Sequence, residues 1–291
     1  MEDLGANHVN DGRNPEVRSV PTFVTDPPDQ RVVRRPMRPL IGTSWKMQLT
    51  ASQAVQYLQT LRPLVADLTD RDLFVLPAYP AIPVAREQLD GSNIAWGAQD
   101  VHPEDWGAHT GDVSAPMLAD LGCRYVEVGH SERRREHGET TDVVARKIAA
   151  VARWGMTPIL SIGDQHRHGP QAALAELMPS LERLLAGLPR ESLGDLVIAY
   201  EPAWAIGEGA APASPEEVGA VLRELRASPL LKGVEASGVR LIYGGSVDQS
   251  IAEEMLSQPC VDGLFIGRQG LDPYTFAALA RTACCMSHSE P

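Results

Sequence analysis

Residues 239–268 read VRLIYGGSVDQSIAEEMLSQPCVDGLFIGR. Two short apolar runs, Val239 to Tyr243 and Gly263 to Ile266, have strand composition, and each ends in glycine: Gly244-Gly245 after the first, Gly267 after the second. Strand, helical stretch and strand in succession predict one βα unit feeding a parallel neighbour. The same order recurs upstream, with strands predicted at Leu40 to Ser44, Leu73 to Leu76, Ile94 to Ala98, Tyr125 to Val128, Pro158 to Ile162 and Leu196 to Tyr200. Between them lie amphipathic segments. In Ala51 to Leu68, the residues Ala54, Tyr57, Leu58, Leu61 and Val65 recur at helical spacing, and Glu216 to Ala227 follows Ser214 as N-cap and Pro215 as first helical residue. Eight strands, each followed by a helix, within roughly 240 residues predict an α/β protein, a closed (β/α)8 barrel rather than an open doubly wound sheet.

The chain has 291 residues with a formal charge of −12, 43% apolar and 22% charged residues. That balance suits one large globular domain, and the negative field disfavours nucleic acid as a partner. No run approaches the roughly 20 apolar residues that span a bilayer, and residues 1–30 carry no apolar h-region, so no membrane partner is expected and the localisation expected is cytoplasmic. Residues 1–38 hold Pro15, Pro21, Pro27, Pro28 and Pro36 among mixed charges and are expected to form a disordered extension, with the domain over 39–283 and a loose tail over 284–291. Cys123, Cys260, Cys284 and Cys285 lack CxxC spacing and are read as reduced thiols, with no metal site among them.

Catalytic groups of such a barrel belong on the loops that follow the strands. Lys46 follows the first strand, His130 the fourth and Glu201 the sixth, and the glycines of the quoted stretch follow the last two. A base, an electrophile beside a carbonyl and backbone N–H groups for a phosphate dianion would suit proton transfer on a small phosphorylated substrate. No organic cofactor or metal is called for.

The segments GTSWKM (42–47), GAHTGDVS (107–114), VGHSERR (128–134), AYEPAWAIGEG (199–209), IYGGSV (242–247) and DGLFIGR (262–268) resemble, in order and separation, the triosephosphate isomerase family, whose fold is the (β/α)8 TIM barrel. A glutamate base working with a neutral histidine is that family's own established pairing, so these roles come from the resemblance and not from spacing. The resemblance implies Glu201 as the base, His130 as the group polarising the carbonyl, Lys46 as fixed positive charge and Glu132 as its partner. It implies a closing lid over Pro202 to Ala211, stiffened by Pro202 and packed by Trp204. Phosphate contacts are implied for Gly207, Ser246, Gly244, Gly245 and Gly267. Residues 107–112 match a loop that reaches into a second subunit, which implies a homodimer with Thr110 at the contact and Arg133 bracing Asp112.

Two positions depart from the family pattern. Ser44 stands where the family carries asparagine, which predicts more space and one donor fewer beside the reacting carbons. Arg268 replaces the second glycine of a Gly-Gly pair; its guanidinium either meets the phosphate or turns to solvent. The combination TSWKM with DGLFIGR resembles the branch that converts L-erythrulose 1-phosphate to D-erythrulose 4-phosphate. Two substrates therefore stand side by side, that tetrulose phosphate and dihydroxyacetone phosphate with its isomer glyceraldehyde 3-phosphate. A barrel that binds a sugar phosphate without turning it over is the remote alternative, opposed by the presence of Glu201, His130 and Lys46.

Overall fold

The computed structural model describes residues 38–188, 193, 195–205, 212–232 and 238–282. The expected extension, apart from Arg38, and the expected C-terminal tail lie outside them. Eight strands, β1 (Leu40–Ser44), β2 (Asp72–Leu76), β3 (Ile94–Ala98), β4 (Tyr125–Val128), β5 (Thr157–Ile162), β6 (Val197–Tyr200), β7 (Arg240–Tyr243) and β8 (Gly263–Ile266), run parallel in sequence order. β1 closes the barrel against β8, with Leu40 opposite Gly263 and Thr43 opposite Ile266. The predicted strands are present, with ends that differ by at most one residue.

Outside the strands lie α1 (Ala51–Leu64), α2 (Ile82–Leu89), α3 (Ala115–Asp120), α4 (Ser131–His137), α5 (Thr141–Arg153), α6 (Pro170–Leu185), α7 (Pro215–Ala227), α8 (Ala252–Ser257) and α9 (Pro273–Thr282). Helix α7 begins as its sequence predicts: the Ser214 hydroxyl accepts from the Glu217 N–H while Glu217 reaches back to the Ser214 N–H, a reciprocal cap. Helix α1 stops at Leu64, short of the predicted Leu68, because Val65 leaves the helical conformation. Leu68 stays buried through a turn, and the Asn93 amide donates to the freed carbonyls of Val65 and Leu68 at 2.8 Å each. Among the described residues no helix is long and apolar enough to cross a membrane. Cys123 and Cys260 are free thiols, and Cys284 and Cys285 lie outside the described residues.

Side chains alternate in and out along each strand, which divides the core in two. Leu40, Phe74, Leu76, Tyr125, Ile159, Val197, Ile242 and Phe265 fill the barrel interior, whereas Ile41, Leu73, Val75, Val126 and Ile198 pack outward under the helices. Gly42 leaves the space that the Phe74 ring occupies. Phe74 also meets Tyr125 and Phe265, with ring centroids 4.9 and 5.6 Å away. Phe74→Ala would leave a void that this closed cylinder cannot collapse into, and a stability loss of about 3–5 kcal/mol is expected from urea unfolding, read as a lower midpoint at an unchanged slope.

Candidate active site

The inward positions nearest the strand ends carry polar groups where the layers below are apolar. Ser44 of β1 shares the inward face with Leu40, Glu127 of β4 with Tyr125, and Ser161 of β5 with Ile159. Two residues beyond Ala199, Glu201 continues the inward face of β6, and Gly244 does the same for β7. Closure of the barrel therefore brings together groups that are remote in sequence.

Glu201 is buried, and its Oε1 accepts from the Ser161 hydroxyl at 3.1 Å. A Cβ at Gly244 would stand 2.6 Å from Glu201 Cγ and 2.8 Å from its Oε1, so this glycine makes room for the carboxyl group. His130 is the N-cap of α4 and its Nδ1 accepts the Glu132 N–H at 3.1 Å. A neutral ring must then carry its proton on Nε2, which lies 3.4 Å from Glu201 Oε2. Burial, reinforced by the Lys46 charge, pulls the His130 pKa down to about 4, so the ring is neutral at pH 7.

Lys46 sits in the turn after β1 with φ of +52°, a conformation that a residue with a Cβ adopts only under constraint. The Gln99 amide supplies that constraint by donating to the carbonyls of Lys46 and Leu76 at 3.0 and 2.9 Å. Lys46 Nζ meets Glu132 Oε1 at 2.6 Å. Partial burial opposes ionisation of Glu132, but the Lys46 hydrogen bond and charge outweigh it and hold the carboxyl below its usual range. A fixed cation, a neutral N–H donor and a carboxylate base thus line one recess, a set able to move a proton beside a carbonyl and steady the resulting oxyanion.

Sequence reading missed Glu127. Only 3% exposed, it accepts a 2.8 Å hydrogen bond from the Ser44 hydroxyl on Oε2. The space expected beside Ser44 is therefore taken by a carboxyl group, and the pocket gains an acceptor there. Burial raises the Glu127 pKa to about 7; burial and then the Glu127 charge raise that of Glu201 to about 8. One oxygen or nitrogen from each of Glu127, His130 and Glu201 lies within 4.8 Å of the other two. No such grouping at the strand ends was expected from sequence. Its donor set does not suit a metal, because with Nδ1 occupied by the Glu132 amide the ring offers a protonated Nε2 and no lone pair.

Among the residues expected to meet a phosphate, Ser246 Oγ donates to the Ala205 carbonyl at 3.5 Å, and Gly245 packs against the Tyr243 hydroxyl. Gly267 leads into a single 3₁₀ turn, Arg268–Leu271, with Arg268 exposed. Gly207 and the rest of 206–211 lie outside the described residues. At the start of the expected lid, Pro202 enters a 3₁₀ turn, Ala203–Ala205. Trp204 Nε1 donates to Asp164 Oδ2 at 3.0 Å and the Tyr200 hydroxyl donates to Oδ1 at 2.8 Å, so Asp164, also missed in sequence, ties this turn to the end of β6.

The loop 107–112 carries Thr110 on the surface; Trp106, which precedes it, is 70% exposed, and Met47 in the turn after β1 is 96% exposed. Within this chain Arg133 Nε meets Asp100 Oδ2 at 2.8 Å and Glu139 Oε1 at 2.6 Å, two acids that Lys147 of α5 also holds. Asp112 faces His102, whose ring stacks on that of His109 with centroids 4.0 Å apart.

The family model described as triosephosphate isomerase matches residues 39–283. The triosephosphate isomerase of Thermus thermophilus is 44% identical over 253 residues, which cover 84% of this chain and 99% of that protein. The enzyme of the same name from Mycobacterium tuberculosis is 42% identical over 254 residues, 84% of this chain and 97% of that one. That of Synechococcus sp. (strain JA-3-3Ab) is 40% identical over 253 residues, with 84% and 94% covered. A match that begins just before β1 and runs past α9 makes the chain a member of the triosephosphate isomerase family, and its enzyme class is that of an isomerase.

Proposed function

We propose that this protein shifts a carbonyl along a short phosphorylated ketose through an enediol. Support comes from one observation above all, the approach of the Glu201 carboxyl to within 3.4 Å of the Nε2 of a histidine held neutral. Glu201 takes a proton from the carbon beside the carbonyl and returns it to the neighbouring carbon. His130 Nε2–H donates to the carbonyl oxygen and then to the enediolate. Lys46, oriented by Glu132, supplies positive charge to the oxyanion. Gly245, Ser246, Gly267 and Gly207 offer polar groups to the phosphate, while Pro202 and Trp204 begin a lid that excludes water from the intermediate. The substrate of the first reading is dihydroxyacetone phosphate, interconverted with glyceraldehyde 3-phosphate, in keeping with the names of the relatives. The pairing of Ser44 with Glu127 favours a second reading, the conversion of L-erythrulose 1-phosphate to D-erythrulose 4-phosphate, whose extra hydroxymethyl group calls for polar contacts. A homodimer is in keeping with the exposed Met47 and Trp106, since apolar side chains that size gain by being covered. A cytoplasmic location fits this reaction class.

The deciding experiment is kcat/KM on dihydroxyacetone phosphate and on L-erythrulose 1-phosphate under identical conditions. Turnover of neither would overturn the proposal. Its pH profile carries a further expectation. Activity rises with pH as Glu201 loses its proton, and the Glu127 charge opposes that loss. Glu127→Gln removes the opposing charge, lowers the Glu201 pKa and is expected to move the acid limb of kcat/KM to lower pH. An unmoved limb would show that the two carboxyls do not sense each other.

A further inference from the structure

Glu127 is a carboxyl group nine-tenths and more buried, yet it belongs to no ion pair among the described residues and accepts one described hydrogen bond, from Ser44. Burying such a group without full pairing is unfavourable by itself, so its presence in the active-site layer calls for a partner. Lys46, the cation nearby, is drawn to Glu132 at 2.6 Å and forms no ion pair with Glu127 among the described residues. What its oxygen does face, within 4.8 Å, is the pair His130 and Glu201, between which a reacting carbon and its oxygen would lie. A bare carboxylate there would also repel the enediolate as charge develops on it. A hydroxyl one carbon beyond the deprotonated carbon gives the buried group its partner, by donating to Glu127 in its ionised form or accepting from it in its protonated form, in which the repulsion is also absent.

We propose that Glu127, oriented by the Ser44 hydroxyl, is a specificity-determining residue that hydrogen-bonds a substrate hydroxyl carried one carbon beyond the carbon that Glu201 deprotonates. The site then selects ketose phosphates with a hydroxymethyl group at that carbon over those with hydrogen. The inference rests on the reading of Glu201 as the base. Discrimination arises because a substrate lacking the hydroxyl leaves the buried carboxyl unpaired, the situation in which polar sites reject analogues most strongly. A pKa of about 7 for Glu127 places both hydrogen-bonding forms within reach at neutral pH.

The test is the ratio of kcat/KM for L-erythrulose 1-phosphate to that for dihydroxyacetone phosphate, measured on the full chain and on Glu127→Leu, Glu127→Gln and Ser44→Ala. The unaltered protein is expected to favour the tetrulose. Glu127→Leu is expected to lower the ratio about 10²-fold, and Glu127→Gln, which keeps hydrogen-bonding atoms in place, by less than about tenfold. Should the leucine variant not fold, Ser44→Ala carries the test, since it releases the carboxyl from its orientation and is expected to lower the same ratio. A ratio within about threefold of the unaltered protein's in the folded variants would overturn the proposal, as would a preference of the unaltered protein for the triose. Glu201→Gln keeps the two readings apart. Loss of turnover on both substrates with it supports the base role whatever the ratio does, and retained turnover removes that role.

Discussion

Glu201→Gln is expected to lower kcat about 10²–10⁴-fold on whichever ketose phosphate the protein turns over, with a much smaller change in KM. Glutamine keeps the volume of the side chain and an oxygen for the Ser161 hydroxyl, so the recess retains its shape. What it lacks is a site that can take and return a proton. The same substitution separates catalysis from folding. Burial raises the Glu201 pKa to about 8, so the folded state holds its proton between the ordinary value of 4.5 and about 8 while the unfolded chain has lost it. This contribution to stability is therefore fully present below pH 4.5 and is lost as pH rises through about 8. Glutamine has no proton to lose, and thermal unfolding of the variant at pH 9 is expected at or above the temperature found for the unaltered protein. A variant with near-normal kcat would take Glu201 out of the reaction.

Gly244→Ala is expected to lower kcat about 10²-fold without replacing any group that bears a charge. The added methyl would stand 2.6 Å from Glu201 Cγ, well inside contact distance, and the backbone behind it is tied by the hydrogen bond from the Gly244 N–H to the Tyr200 carbonyl. The Glu201 side chain must yield, and a shift of about 1 Å takes its oxygen off the line to the substrate carbon. Steady-state kinetics would read this as a fall in kcat with substrate affinity largely kept. Unchanged kcat would mean that Glu201 has a second position from which it works equally well. Gly244, grouped from sequence with the phosphate contacts, stands against the Glu201 carboxyl group.

Much of this molecule is legible in one dimension. Eight apolar runs at intervals, each closed by glycine, proline or a polar residue, specify the parallel barrel, because a strand buried on both faces must be apolar and a parallel crossover must be long. Glu201, His130 and Lys46 stand out in sequence because each lies within two residues of a strand end. Glu127 escaped the same reading because it lies inside a strand, in the run Tyr125 to Val128, where an acid looks like a solvated residue. Counting alternate positions from Tyr125 would have turned it inward, but whether inward means apolar core or open recess depends on its height in the barrel.

Sequence alone determined the class of fold, the strand order and which residues stand at the strand ends, since these follow from local periodicity and chain direction. Only the tertiary structure decided which of them meet. Ser44 and Glu127, 83 positions apart, or Ser161 and Glu201, 40 apart, come within hydrogen-bonding distance because the sheet closes on itself and aligns their heights. The raised pKa values of the two carboxyls are likewise products of that closure, which removes water from one side of each group and fixes a neighbour on the other, whereas the proton on His130 Nε2 follows from the local cap of α4.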